Sequence, residues 1–218
     1  MSDYVNDYDR VELLKKWWDE HGSALIIGLV LGLVVIFAWQ FWQKKQALTQ
    51  VSAASAYQTL VTMSLSKDTD LYITRAQSLI KTYPRSPYAV LSSFLLSHAE
   101  VVKGNYEAAY QANEWVMKHA DDVSFKQIAR IRAARLRLAQ HEPDQALALL
   151  NTVDDPNFAI LTDEVKGDIY VVKHDFNAAK KAYIAAEQDA PDSPVLLPVL
   201  QLKLSSLPQA SKTLPATH

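Results

Sequence analysis

The sequence predicts an all-α protein: one N-terminal transmembrane helix followed by a right-handed α-solenoid of antiparallel helix pairs. Two observations carry that reading. The stretch from Ala24 to Trp42, ALIIGLVLGLVVIFAWQFW, holds no charged residue, with Glu20 the last charge before it and Lys44 the first after. Beyond it, small residues recur at a nearly fixed long period, as in stacked helical repeats.

Residues 1–22 form a short acidic leader with Asp3, Asp7, Asp9 and Glu12. Val11, Leu14, Trp17 and Trp18 recur at helical spacing, so the leader is expected to lie in the membrane interface and enter the span after Gly22. The span is assigned to residues 23–43. Its apolar stretch rises about 28 Å as a helix, close to the hydrocarbon thickness of a bilayer. Trp17, Trp18, Trp39, Phe41 and Trp42 supply interfacial aromatics, and Lys44 and Lys45 can snorkel. The run ends in bulky Trp39-Gln40-Phe41-Trp42, where a signal peptidase requires small residues, so the anchor reads as uncleaved. Arg10, Lys15 and Lys16 precede the span and Lys44 and Lys45 follow it, a slight bias toward a cytoplasmic N-terminus. Gly28 and Gly32 form a G-x-x-x-G face on which another membrane helix could pack; the plain alternative is that glycine is common in such helices.

From Gln43 to about Leu65 the chain is rich in helix formers, without Gly or Pro. Two alternatives stay open here: the membrane helix continues into the following domain, or a new helix starts just beyond it. The first break is expected between Ser64 and Asp70. A repeat domain is then expected over residues 44–207, with residues 208–218 a disordered tail.

The repeat is clearest between Glu164 and Pro191, where Gly167, Tyr170, Ala179, Tyr183, Ala186 and Pro191 stand at offsets 0, 3, 12, 16, 19 and 24. These are the offsets of a tetratricopeptide repeat, in which small residues let two helices cross closely and aromatics fill the space beside them. Lys166 departs from the pattern, which prefers a large apolar residue there. The close-packing alanine is traced backwards through Ala179, Ala146, Ala109 and Ala76, at spacings of 33, 37 and 33. Turns within pairs are expected at Lys103-Gly104-Asn105 and at His141 to Pro143. Breaks between pairs are expected at Tyr83 to Pro87, at Asp121-Asp122 and at Asp154-Asp155-Pro156.

Composition narrows function. The 218 residues carry 22 basic and 24 acidic side chains and no cysteine, so disulfides, zinc thiolates and thiol nucleophiles are excluded and nothing calls for nucleic acid. None of His21, His98, His119, His141, His174 and His218 pairs at metal-ligand spacing on a helix. Phosphate loops and nucleophile elbows are absent from the sequence. The chain is therefore read as non-catalytic, with no cofactor, metal or small-molecule substrate. Asp121-Asp122 and Asp154-Asp155 are expected to be solvated loop charges, and Lys126, Arg130 and Arg137 a solvated basic stripe.

The binding surface follows from the repeat register. In this motif the first helix of each pair lines the concave side, at fixed offsets from the small crossing residue. Counting from Ser97 gives Leu91, Phe94, His98, Val101 and Val102; from Ala134, Ile128, Ile131, Arg135, Leu138 and Ala139; from Gly167, Leu161, Glu164, Asp168, Val171 and Val172. With one Arg set against a Glu and an Asp, the groove is expected to take an apolar segment, such as a chaperone helix or an unfolded client. The alternative is that residues 195–207 fold back and fill it.

The whole pattern resembles the YfgM-type ancillary subunits of the bacterial SecYEG translocon. The likeness is densest in Val11-Glu12, Gly22, Ala24-Leu25, Gly28, Gly32, Trp39 and Trp42, in Ser52 to Gln58, and in Gln201-Leu202-Lys203. The resemblance implies a bitopic inner-membrane protein with its repeat domain in the periplasm. It also implies a place beside the SecYEG translocon and a membrane-anchored periplasmic chaperone of the peptidyl-prolyl isomerase type, where the protein would help pass emerging chains to periplasmic chaperones. A different membrane-tethered repeat adaptor, in envelope assembly, cytochrome maturation or cell division, would share the same physical features.

Overall fold

Apolar surface decides where each helix goes. The computed structural model describes residues 4–63, 68–189 and 195–208, and among them every regular element is helical. The predicted break at Ser64 to Asp70 falls partly outside these residues. Pro191 and the tail beyond Pro208 lie outside them altogether. The chain divides into two compact units, Met1–Ser52 and Ala53–His218.

Helix α1, Tyr4–Met63, runs without interruption, so of the two alternatives the helix continues past Gln43 and does not restart there. Nothing in the sequence from Gln43 to Met63 can stop it, since that stretch has no Gly or Pro. It contains the one helix among the described residues that is long and apolar enough to cross a membrane, and Leu29 to Phe37 carry no protein cover. Gly28 and Gly32 are likewise open, with nothing near the position of an added Cβ. Gly22 has a local role: Trp18 lays its indole over it, about 3.1 Å from where a Cβ would sit.

The second unit is built from helices that each pack on their sequence neighbour. They are α2 (Thr69–Thr82), α3 (Pro87–Val102), α4 (Tyr106–His119), α5 (Val123–Ala139), α6 (Pro143–Leu149), α7 (Ala159–Val172), α8 (Phe176–Gln188) and α9 (Leu196–Ser206). A short 3-10 turn, Pro156–Phe158, precedes α7. Their starts are written in side chains: Asp68, Ser86, Asp122 and Asp175 each accept a bond from a backbone N–H of the first turn, and Pro87 and Pro143 open helices where no N–H is needed.

The turns inside the pairs are alike. Gly104, His141 and His174 all adopt the left-handed conformation, seven residues after Ser97, Ala134 and Gly167. In each, the next N–H reaches back five residues, as Asn105 to the Glu100 carbonyl at 2.8 Å, Glu142 to Arg137 at 2.9 Å and Asp175 to Tyr170 at 2.9 Å. This closes the last carbonyls of the preceding helix.

The core is shared between pairs instead of lying within them. Leu60 packs with Tyr72, Ile73, Ala76, Leu96, Ala99 and Ala112; Val90 with Val116, Ala120 and Ala129; Ile131 and Ala134 with Ala146, Leu150, Val165 and Ile169; and Ala179, Tyr183 and Ala186 with Leu200. Stacking neighbours bury four apolar clusters among the described residues, each spanning more than one pair.

One pair departs from the period. Helix α6 ends at Leu149, so Val153, which matches the buried Val116 and Ala186 of other pairs, is 54% exposed. The shortened helix lets residues 151–155 fold over α5, which corrects two expectations. Asp154 and Asp155 are not solvated: the Asp154 Oδ2 accepts from Arg130 at 2.9 and 2.8 Å, and Asp155, 5% exposed, accepts from the Ser124 hydroxyl at 2.7 Å. Buried Gln127 accepts from the Asp154 N–H at 2.8 Å and donates to the Thr162 hydroxyl at 3.0 Å. Arg130 and Arg137 are accordingly not a solvated stripe. Arg137 donates to Glu107 at 2.8 Å and Glu142 at 3.1 Å while its guanidinium lies 3.7 Å from the centre of the Tyr110 ring.

The Arg137–Glu107 pair belongs to a series. Asp70 pairs with Lys103, Glu107 with Arg137 and Asp144 with Lys173, each joining the acidic first turn of a second helix to the basic end of the next pair's first helix. Both helix dipoles are complemented by one contact, although the carboxylates are largely exposed and each pair contributes little alone.

Candidate functional site

The concave side is set by three crossings. Ser97, Ala134 and Gly167 are buried, each set against a residue sixteen positions on, in the second helix or at its C-terminal cap. Asn113 donates its amide to the Ser97 hydroxyl at 2.6 Å, Leu150 is buried near Ala134, and Tyr183 covers Gly167 so closely that a Cβ there would lie 2.3 Å from its ring. With the crossings fixed, the inward edges of α3, α5 and α7 follow.

Between α3 and α5 these edges leave an open cleft of about 770 Å³. Leu91, Phe94, Leu95, Ser97, His98 and Val101 line it from α3; Arg132, Arg135, Leu136 and Ala139 from α5; Tyr57 and Tyr106 complete it. Of the predicted groove positions it therefore gathers Leu91, Phe94, His98, Val101, Arg135 and Ala139. Val102 lies outside it at 68% exposure, and Ile128 is half-buried on α5.

Farther along, the same inward positions are occupied by the protein itself. Ile131 is 3% exposed and belongs to the core, with Leu138 and Leu161 packed against the same cluster. Val171 packs into the cluster around Tyr183 and Leu200, while Val172 points to solvent. Glu164 and Asp168 are engaged by α9: Lys203 donates to Glu164 at 2.7 Å and to both Asp168 oxygens at 2.8 Å. Glu164 also accepts from Arg135 at 3.1 Å, and Asp168 from the Tyr183 hydroxyl at 2.6 Å. Burial opposes the Lys203 charge, but its bonds to Asp168 and Glu164 prevail and raise its pKa; burial, then the bond to Asp168, raises that of Tyr183. The segment 195–207 thus folds back as α9 and covers the α7 end, leaving the α3–α5 cleft open.

Five lining residues lie off the counted offsets: Leu95 and Leu136 on the same two helices, and Tyr57, Tyr106 and Arg132. Tyr57 comes from the end of α1 and Tyr106 from the start of α4. Arg132 sits two positions before Ala134, off the predicted edge, yet its long side chain carries the guanidinium to 4.7 Å from the Phe94 ring centre. Burial and the neighbouring Arg135 charge lower its pKa, as expected where two cations share a face. Among the described residues no ion pair engages Arg132, and no carboxylate lines the cleft. No group of three potential metal-ligating side chains occurs among them either.

The chain resembles proteins of known assignment along nearly its whole length. It is 28% identical over 207 residues to a protein of Escherichia coli (strain K12) named ancillary SecYEG translocon subunit, covering 95% of this chain and 99% of that one. Proteins of the same name from Haemophilus influenzae and Neisseria gonorrhoeae are 26% and 27% identical, each matched across 95% of this chain and 100% of its own length. The description of the tetratricopeptide repeat-like domain matches residues 15–209, which includes every crossing and turn described above, and the chain belongs to that family.

Proposed function

We propose that the protein is a non-catalytic, single-pass adaptor of the bacterial inner membrane that associates with the SecYEG secretion channel. Its repeat-domain groove would help pass emerging proteins to periplasmic chaperones. The observation that carries this reading is end-to-end similarity to relatives that all bear the translocon-subunit name. The uncovered apolar helix and the open cleft support it, the first as an anchor and the second as a docking surface.

In this reading residues 1–22 are cytoplasmic, 23–43 span the bilayer and 44–207 are periplasmic. Gly28 and Gly32 face another membrane helix, and the partners are SecYEG and a membrane-anchored chaperone of the peptidyl-prolyl isomerase type. Leu91, Phe94, His98 and Val101 with Arg135 form the working part of the groove. Co-purification from mild detergent with SecYEG is the expected result, together with digestion of the repeat domain by protease added to intact spheroplasts. Protection of the repeat domain would reverse the orientation, and absence of the channel subunits from the purified complex would remove the translocon assignment.

A further inference from the structure

The cleft between α3 and α5 differs in charge from the concave side as a whole. Glu164 and Asp168, the carboxylates of the inward edge, are both taken by Lys203 of α9. His98, Arg132 and Arg135 line the open part; Arg135 donates to Glu164 at 3.1 Å, while no ion pair engages Arg132 and no carboxylate lines the cleft among the described residues. The Arg132 Cζ lies 4.7 Å from the centre of the Phe94 ring. Tyr57, Phe94 and Tyr106 add flat, largely apolar surface beside the two guanidiniums.

Resting on the reading of this cleft as a docking surface, we propose that it selects an acidic amphipathic segment of a partner protein, a carboxylate of it meeting Arg132 while its apolar side chains lie on Phe94 and the two tyrosines. The alternatives are physically poorer. An uncharged apolar segment would cover the Arg132 guanidinium without giving it a counter-charge, and a basic segment would be repelled. A carboxylate can take the planar N–H edge of a guanidinium through two parallel bonds, which neither of the others can do. The apolar client expected from sequence alone is thereby narrowed to one that also carries acid.

The test uses the full chain in detergent micelles and three labelled synthetic peptides of one pattern: leucine and phenylalanine alternating with glutamate, with glutamine, or with lysine. Fluorescence anisotropy should show the glutamate peptide binding about tenfold or more tighter than the glutamine peptide, a difference of about 1.4 kcal/mol. The preference should weaken with added salt, and the lysine peptide should bind least. Arg132→Gln should bring the glutamate peptide to the level of the glutamine peptide, whereas Arg75→Gln, an exposed change on α2 outside the cleft lining, should not. Equal binding of the glutamate and glutamine peptides, a preference that survives Arg132→Gln, or no binding of any peptide would each overturn the proposal. Failure of SecYEG to co-purify would instead strike the translocon reading and leave the peptide preference standing.

Discussion

Replacing Gly167 with alanine sets two physical rules against each other. Gly167 lies within α7, where glycine is about 1 kcal/mol worse than alanine, so helix propensity alone predicts stabilisation. The packing predicts the opposite. A Cβ at Gly167 would sit 2.3, 2.4 and 2.8 Å from Cε1, Cδ1 and Cζ of Tyr183. Carbon atoms pack at about 3.5–4.0 Å, so the ring would have to retreat by more than about 1 Å. It has nowhere to go: Tyr183 is buried among Ala179, Ala186 and Leu200, and its hydroxyl donates to Asp168 at 2.6 Å. Overpacking of this kind costs about 1–3 kcal/mol, and weakening the tyrosine–aspartate bond adds about 1 kcal/mol. After subtracting the propensity gain the net loss is about 1–3 kcal/mol, a fall of roughly 3–10 °C in melting temperature for a domain of this size. Circular dichroism at 222 nm on residues 46–207 would read it. The decisive control is the same change beside Tyr183→Ala, where the obstruction is gone and Gly167→Ala should stabilise. If Gly167→Ala raises the melting temperature with Tyr183 in place, the close crossing of α7 and α8 is wrong.

Three further outcomes follow from particular residues. His141 holds a left-handed conformation that costs a non-glycine residue about 1–2 kcal/mol, so His141→Gly should raise stability by up to about 1 kcal/mol, read by urea titration; a lower midpoint would refute the turn geometry. The Ser124 hydroxyl, then the Asn157 N–H, hold the Asp155 carboxyl below its ordinary range. A depressed carboxyl contributes stability above its unfolded pKa, about 3.9, and loses it as pH falls through the folded value, so Ser124→Ala should move the acid-unfolding midpoint to higher pH, and an unmoved midpoint would remove that role. Lys203→Met should loosen α9, lowering stability by about 1 kcal/mol after solvent screening and speeding hydrogen exchange in residues 196–206; unchanged exchange would mean that apolar contact alone holds the helix.

What could be read from the chain alone was whatever is written in local periodicity. A charge-free run from Ala24 to Trp42 announces an apolar helix wherever it is placed, and the alanines at 76, 109, 146 and 179 announce close helix crossings because only small residues permit them. The turns were legible for the same reason, down to Gly104 and His141, since each is decided by a few consecutive residues. The early end of α6 was not read from the repeat period, although Asp154-Asp155-Pro156 marked the connection beyond it. The long-range polar pairs, Arg130 with Asp154, Ser124 with Asp155 and Lys203 with Glu164, join residues 24, 31 and 39 positions apart and have no signature in any one helix. The groove illustrates the boundary most clearly. Offset counting indicates which edge of a helix faces inward, but not whether another helix already stands opposite it. That is why Leu91 and Phe94 open onto a cleft while Ile131, Val171, Glu164 and Asp168 face the protein's own side chains, and why Arg132 reaches the cleft from an unpromising position. Helix register is a property of neighbours in sequence, whereas vacancy and charge balance depend on what distant segments, here α9 and the loop after α6, bring to the same space.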